Sequence, residues 1–297
     1  HVDRNREDSP ALLRARIADF KRAENQARKV IDRRIAAHRR SDRPLALDRV
    51  CELYGLDDFE RTILLLAAAP CFARRFEDIY GEITDVSYSS GLTVESACSF
   101  AGLTFAQRIE RRSTFAPDGR LSANDLVNVE MHRRYSSPKV LLNTDIEITA
   151  RTFATMLGDD RLPHEFMEFS SVEEPLASLD NVVLDARDKE RILSVVQRHD
   201  EWLKRRKDWG FDDIISYGRG SLLLFYGAPG TGKTMTAHGV ADALGKRVLN
   251  VDIPTFVSSS EADRFLPSLF REARLQDAVL FFDECEVLFA SRTHGNQ

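Results

Sequence analysis

One run, SLLLFYGAPGTGKT at residues 221–234, constrains this chain more than any other. Its apolar start reads as a strand leading directly into GxxxxGK[ST], and TMTAHGVADALG, from Thr234 on, has helical composition. Strand, glycine-rich loop and helix in that order form a phosphate cradle. Gly227, Gly230 and Gly232 let the chain wrap closely enough for backbone N–H groups to meet phosphate oxygens at a helix N-terminus. Lys233 adds a point charge for the β and γ phosphates, and Thr234 offers the hydroxyl that such loops place on Mg²⁺.

Fifty residues beyond Lys233, AVLFFDEC sets Asp283 and Glu284 after the apolar run Val279–Phe282, the pattern of a buried parallel strand presenting acids at its carboxyl end. Asp283 would hold Mg²⁺, and Glu284 would orient and polarise an attacking water. Between the motifs, RVLNVDI at 247–253 reads as a strand and EADRFLPSLFREARLQ as a helix interrupted by Pro267. The order β, α, β, α, β predicts an α/β fold, a doubly wound parallel sheet with helices on both faces and a nucleotide at the carboxyl ends of its strands. Ahead of it, Asp185 to Lys207 carries Ile192, Val195, Val196, His199 and Leu203 at helical spacing, and His199 reads as a packed helix residue rather than a ligand.

The N-terminal half has a different texture. Ser9 and Pro10 form a cap and first turn, and Leu13, Ile17, Phe20, Ala27, Ile31 and Ile35 then recur at helical spacing to about Arg40, so residues 1–44 read as one long amphipathic helix. Its other face, with Arg14, Arg22, Arg28, Lys29, Arg33 and Arg34, could meet nucleic acid or an acidic partner. Interleaved Asp19, Glu24 and Asp32 make a solvated face the plainer reading. Residues 45–157 read as short helices followed by a hairpin. LALDRVCELYG closes on Gly55, Asp57 or Asp58 caps the next helix, CFARRFEDIYGEI supplies another, and Thr93 and Thr104 cap two more. After Pro117–Gly119, strand signals run from Val127 through Met131 and from Val140 to Ile148, across the loop YSSPK. Helices followed by a hairpin suggest a winged-helix arrangement, a scaffold that serves both DNA binding and protein docking. Arg108, Arg111 and Arg112 are the basic cluster a DNA reader would use, though docking is the favoured job. Residues 158–181, rich in acids and holding two prolines, read as an interdomain linker, with the second domain over 182–297.

Charge and composition exclude several classes. Residues 1–50 hold 12 Arg and 2 Lys against 8 acids, net +6, while the whole chain is −5 and the remainder therefore −11; no single basic stripe dominates. Cys51, Cys71, Cys98 and Cys285 are too scattered for a metal knuckle or a secreted disulfide framework, and Cys285 reads as inert packing. The most apolar run, Ile63–Pro70, is far short of the ~20 residues a membrane helix needs, and HVDRNRED holds no signal-peptide core. A cytoplasmic protein without a membrane span is expected. The chain begins at His1 and stops shortly after the DE strand, so a longer parent protein is expected too.

GAPGTGKT followed by VLFFDEC, with an apolar VVLD lead-in and a GRG turn, resembles the AAA+ ATPases over residues 182–292. YGLDDFERTILLLAAAP and VLLNTDIEITARTFATMLG more loosely resemble the winged-helix domain of a bacterial subgroup. The resemblance implies ATP and Mg²⁺ as ligands. It implies nucleotide contacts from Gly227, Ala228, Pro229, Gly230, Thr231, Gly232, Lys233, Thr234 and Met235, metal contacts from Thr234 and Asp283, and catalysis by Lys233 and Glu284. Val183 and Leu184 would lie near the adenine. It further implies a homo-oligomeric ring, because a neighbour supplies the arginine finger, and work on a protein client or complex, such as a contractile phage-tail-like particle. The alternative is an ATP-switched DNA-binding regulator. FVSSSEADRF lacks the aromatic, glycine-containing pore loop of polypeptide-threading relatives. The sensor asparagine, arginine finger and helical lid would fall past Gln297, so the piece alone is expected to be inactive. In the family order 5-1-4-3-2, the missing fourth strand would separate the first strand from the DE strand and leave a gap there.

Overall fold

The computed structural model describes residues 10–39, 45–84, 91–129, 141–211, 220–259 and 262–287. The chain divides into two compact units, His1–Gly158 and Asp159–Gln297. The expected caps at Ser9 and the expected strand residues Met131 and Val140 lie outside the described residues, as does most of the GRG turn.

The first unit opens with α1 (Pro10–Arg39) and continues through α2 (Ala46–Tyr54), α3 (Asp58–Phe72), α4 (Arg75–Thr84), α5 (Val94–Phe100), α6 (Phe105–Glu110) and α7 (Arg120–Ala123). Local chemistry sets the ends of these elements. Gly55 closes α2 in the left-handed conformation at φ 62°. Asp57, Thr93 and Thr104 each cap α3, α5 and α6 with a reciprocal capping box to Glu60, Ser96 and Gln107. Strands β1 (Val127–Val129) and β2 (Ile146–Ile148) pair antiparallel, Val127 opposite Ile148, and complete the winged helix; α8 (Ala150–Met156) follows. The second strand is shorter than its β-branched run suggests, because Leu141 and Leu142 lie in a helical turn. Ile63, Leu64, Tyr80, Leu92, Ala97 and Leu121 form the buried interior of this unit.

Residues 159–181, expected as a linker, belong to the second unit. Phe166 and Phe169, 2% and 4% exposed, join Leu249, Val251, Phe256 and Leu269 in its core. β3 (Ser170–Glu173) then pairs antiparallel with β4 (Arg247–Asp252). Burying two phenylalanines, at about 1.5–3 kcal/mol each, outweighs the segment's polar composition. β4 and β5 (Ala278–Asp283) are parallel, joined by a crossover through α12 (Ile253–Ser258) and α13 (Ala262–Leu275). The remaining helices of the unit are α9 (Ala186–Gln197), α10 (His199–Asp208) and α11 (Lys233–Ala243). The sheet is therefore mixed, in the order β3-β4-β5.

Three expectations are corrected here. α13 continues through Pro267 at the cost of one helical N–H bond. The helix expected over 185–207 is two helices that meet at Arg198. Ser221–Tyr226 forms no strand ladder. Its alternation is nonetheless that of a strand. Leu223 and Phe225 pack against Leu179, Val182 and Val240, while Leu222, Leu224 and Tyr226 are 90%, 67% and 90% exposed. A ladder needs neighbouring backbone, and no strand among the described residues pairs with this segment. β5 is half-buried throughout.

Candidate functional site

The glycine-rich loop turns where side chains resist turning. Gly230 and Gly232 sit at φ 79° and 84°, and a Cβ added to either meets nothing within 4 Å, so backbone conformation rather than crowding calls for glycine. Gly232 is the N-cap of α11, whose first amides have no helical partner and carry the positive end of the helix dipole. Lys233 Nζ lies over the loop, donating to the carbonyls of Gly227 and Ala228 at 3.1 Å each. Thr231 Oγ1 donates to Ala228 O at 2.8 Å, and Thr236 Oγ1 to Gly232 O at 2.8 Å, so hydroxyls brace both the loop and the first helical turn. Ala228, Pro229, Thr234 and Met235 are exposed on this surface.

The acids arrive from β5. Asp283 pairs across the sheet with Asp252 at the shared carboxyl end of the two parallel strands, and its Oδ1 accepts the Glu284 N–H at 2.9 Å. Glu284 is left-handed, at φ 53°, which costs a side-chain-bearing residue about 1–2 kcal/mol. The strand ends there with Asp283 half-buried and Glu284 exposed. A hydroxyl at Thr234 and a carboxylate at Asp283 are the hard oxygen donors Mg²⁺ takes, so the residues present fit that ion together with phosphate oxygens. Cys285, next in sequence, donates to Phe282 O at 3.1 Å; burial, then Glu286 and Asp283, push its thiol pKa up.

Two residues the sequence did not single out join the halves of the site. His238, on α11 five residues after Lys233, is 3% exposed and packs edge-on against Phe281, two residues before Asp283, with ring centroids 6.2 Å apart. Its Nδ1 accepts the Leu176 N–H at 3.3 Å, and Nε2 lies 3.8 Å from Glu173 Oε1. Gly239 lies against the turn Leu179–Asn181, where a Cβ would stand 2.8 Å from both the N and Cα of Leu179. That turn carries the lead-in segment. Val182 is buried there at 5%, whereas Val183 is 98% and Leu184 38% exposed. The only sequence signal for either residue was its place on the helix after the loop. His199, which was singled out, sits apart in a surface pair with Ser221 Oγ at 2.9 Å and stacks on Trp202.

Residues 2–170 match the family model "Winged helix domain, variant", and residues 223–297 match "ATPase family associated with various cellular activities (AAA)". The chain belongs to the variant winged-helix family and carries a region that matches the AAA ATPase domain. Among curated relatives, this AAA chain is 27% identical over 219 residues to the peroxisomal ATPase PEX6 of Pichia angusta, covering 70% of the chain and 17% of that protein. It is 32% identical over 139 residues to the uncharacterized AAA family ATPase y4kL of Sinorhizobium fredii, 46% of the chain and 39% of the relative. It is 41% identical over 88 residues to an AAA ATPase forming ring-shaped complexes from Micrococcus luteus, 25% and 15%. The chain thus spans well under two thirds of the length of these relatives. No helix among the described residues is long and apolar enough to cross a membrane.

Proposed function

We propose that the protein binds ATP with Mg²⁺ and hydrolyses it, in a cytoplasmic ring that remodels or assembles a protein complex. The observation that carries the reading is the left-handed glycine loop at the start of α11 with Lys233 over it, tied through His238 and Phe281 to the Asp283–Glu284 strand end. In this reading the amides of residues 228–234 receive the phosphates, and Lys233 exchanges its two carbonyl acceptors for the β and γ oxygens. Thr234 and Asp283 hold the metal, whose charge, when bound, draws electron density from the transferring phosphoryl group. Glu284 accepts the proton of the attacking water, and Val183 and Leu184 offer apolar surface to the adenine. Members of the family supply the arginine finger from a neighbouring subunit, which supports the ring.

Two observations favour protein docking over DNA reading for the winged helix. Arg111 is paired with Asp57 and lies over the Phe59 ring, and Arg108 donates to Leu103 O and Ser99 Oγ, so two of the three basic candidates are engaged within the unit. The outer side of α6 instead shows Phe105 and Ile109, 80% and 62% exposed. The two phenylalanines of FVSSSEADRF pack inward: Phe256 is buried on Phe169 and Phe265 is half-buried on Phe166, at 5.2 and 5.7 Å. That supports a remodelling or assembly role, such as building a contractile phage-tail-like particle, over processive threading.

The test is Mg²⁺-ATP binding and turnover on the complete reading frame beside these 297 residues. Lys233→Ala should abolish binding in both. Glu284→Gln should retain affinity and lower turnover by at least about a hundredfold, the scale of a lost general base. Equal turnover by wild type and Glu284→Gln would remove the assignment of the base.

A further inference from the structure

Helix α1 is 30 residues long, and its apolar stripe is uncovered: Ile17, Phe20 and Ile31 are 46%, 70% and 54% exposed. A lone helix gains too little from its own hydrogen bonds to be secure in water and depends on covering such a stripe. Among the described residues the next-longest helix, α3, has 15 residues and spends its own apolar face on the winged-helix interior through Ile63 and Leu64. The stripe follows the a and d positions, with Val30, 45% exposed, flanking it at g. Ile17, Glu24 and Ile31 fall at successive a positions of a heptad, and Phe20 and Ala27 at d; Arg34 and His38 at the next d and a end the seam.

The flanks say what kind of helix fits. Arg14, Lys21 and Arg28, all exposed, recur every seven residues at the e position, so this side of the seam is cationic from Arg14 to Arg28, with Ile35 next in the row. The helix as a whole holds seven Arg and two Lys against three acids. A second copy does not complement it. In a parallel self-pair Lys21 would face Arg16 and Glu24 would meet Glu24 in the seam; in an antiparallel pair the e row would face itself. Like charges in these places oppose association.

We propose that α1 is one strand of a heteromeric coiled coil and docks an acidic amphipathic helix of a partner protein, with carboxylates along the Arg14, Lys21 and Arg28 side and a cation opposite Glu24. The inference is independent of the nucleotide site. Its test uses the full 297-residue chain and two designed peptides of about four heptads. Both carry apolar a and d residues with Lys opposite Glu24; one has Glu at all e and g positions, the other Lys. The expected result is binding of the acidic peptide at least about tenfold tighter than the basic one, weakening as salt rises. The triple change Arg14→Glu, Lys21→Glu and Arg28→Glu should invert that preference. Loss of folding could not mimic an inversion, and the three exchanges are nearly neutral in helix propensity. Equal binding of both peptides, or of neither, overturns the proposal. So does light scattering that shows self-association lost on Ile17→Ser. Capture of phosphatidylserine-containing vesicles or duplex DNA by the same cations, in place of the peptide, also overturns it.

Discussion

Gly239 illustrates how one atom can govern the site from outside it. The missing side chain lets the backbone of Leu179 approach α11, and a methyl group 2.8 Å from two of its backbone atoms cannot be relieved by a rotamer change. Gly239→Ala is expected to destabilise the AAA unit by about 1–3 kcal/mol in denaturant titration, although alanine is the better helix former. If the adenine rests on Val183 and Leu184 as proposed, the change should also weaken nucleotide binding, because the turn it displaces carries them. The cysteines separate by the same logic of surroundings. Burial pushes the thiols of Cys51, Cys98 and Cys285 up, away from the reactive thiolate, while Cys71 is exposed. Maleimide at neutral pH should modify Cys71 first, with mass spectrometry of the digest reading the order. Fast modification of Cys285 would contradict its packing against Phe282 O.

Element ends are where local chemistry and tertiary structure meet. Asp57 caps α3, and its carboxylate also receives Arg111, while the buried Glu60 of the same capping box receives Arg120 Nε at 3.2 Å. Burial alone would raise the Asp57 carboxyl, but the Glu60 amide and the Arg111 guanidinium outweigh it and hold its pKa below the ordinary range. A folded-state pKa below the unfolded one contributes stability that is fully present above about pH 3.9 and is lost as pH falls through the folded value. Wild type should therefore lose denaturant resistance between about pH 5 and pH 2 more steeply than Asp57→Asn, which keeps a competent cap but not the ion pair. For α3 the sequence offered Asp57 or Asp58, and the structure caps with Asp57. The caps at Thr93 and Thr104 and the stop at Gly55 were legible in the sequence, because each depends on residues within four positions. The state of Ser221–Tyr226 was not. Its alternation is written locally, but a ladder needs a second stretch of backbone beside it, and no strand among the described residues pairs with it.

At the scale of the molecule, two compact units imply that unfolding is not a single two-state event. Calorimetry should resolve two transitions, and Mg²⁺-ATP at about a hundred times its dissociation constant should raise one of them by about 2.7 kcal/mol, leaving the winged-helix transition in place. Lys233→Ala should erase that shift without moving either transition in the absence of nucleotide. The boundary between the units shows the limit of reading composition. GDDRLPHEFMEFSSVEEPLASLDN looks like a linker by its acids and prolines, yet Phe166 and Phe169 fill the core and β3 extends the sheet. Sequence by itself determined the chemistry of the loop, the acids fifty residues on and the helix caps, because glycine conformations, charges and side-chain hydrogen bonds act over a few residues. Tertiary structure alone decided that the acidic segment is core, that His238 and Gly239 bind the loop helix to its neighbours, and that the α1 stripe stands uncovered. Those outcomes depend on which distant surfaces meet, and burial is a property of the pair rather than of either partner.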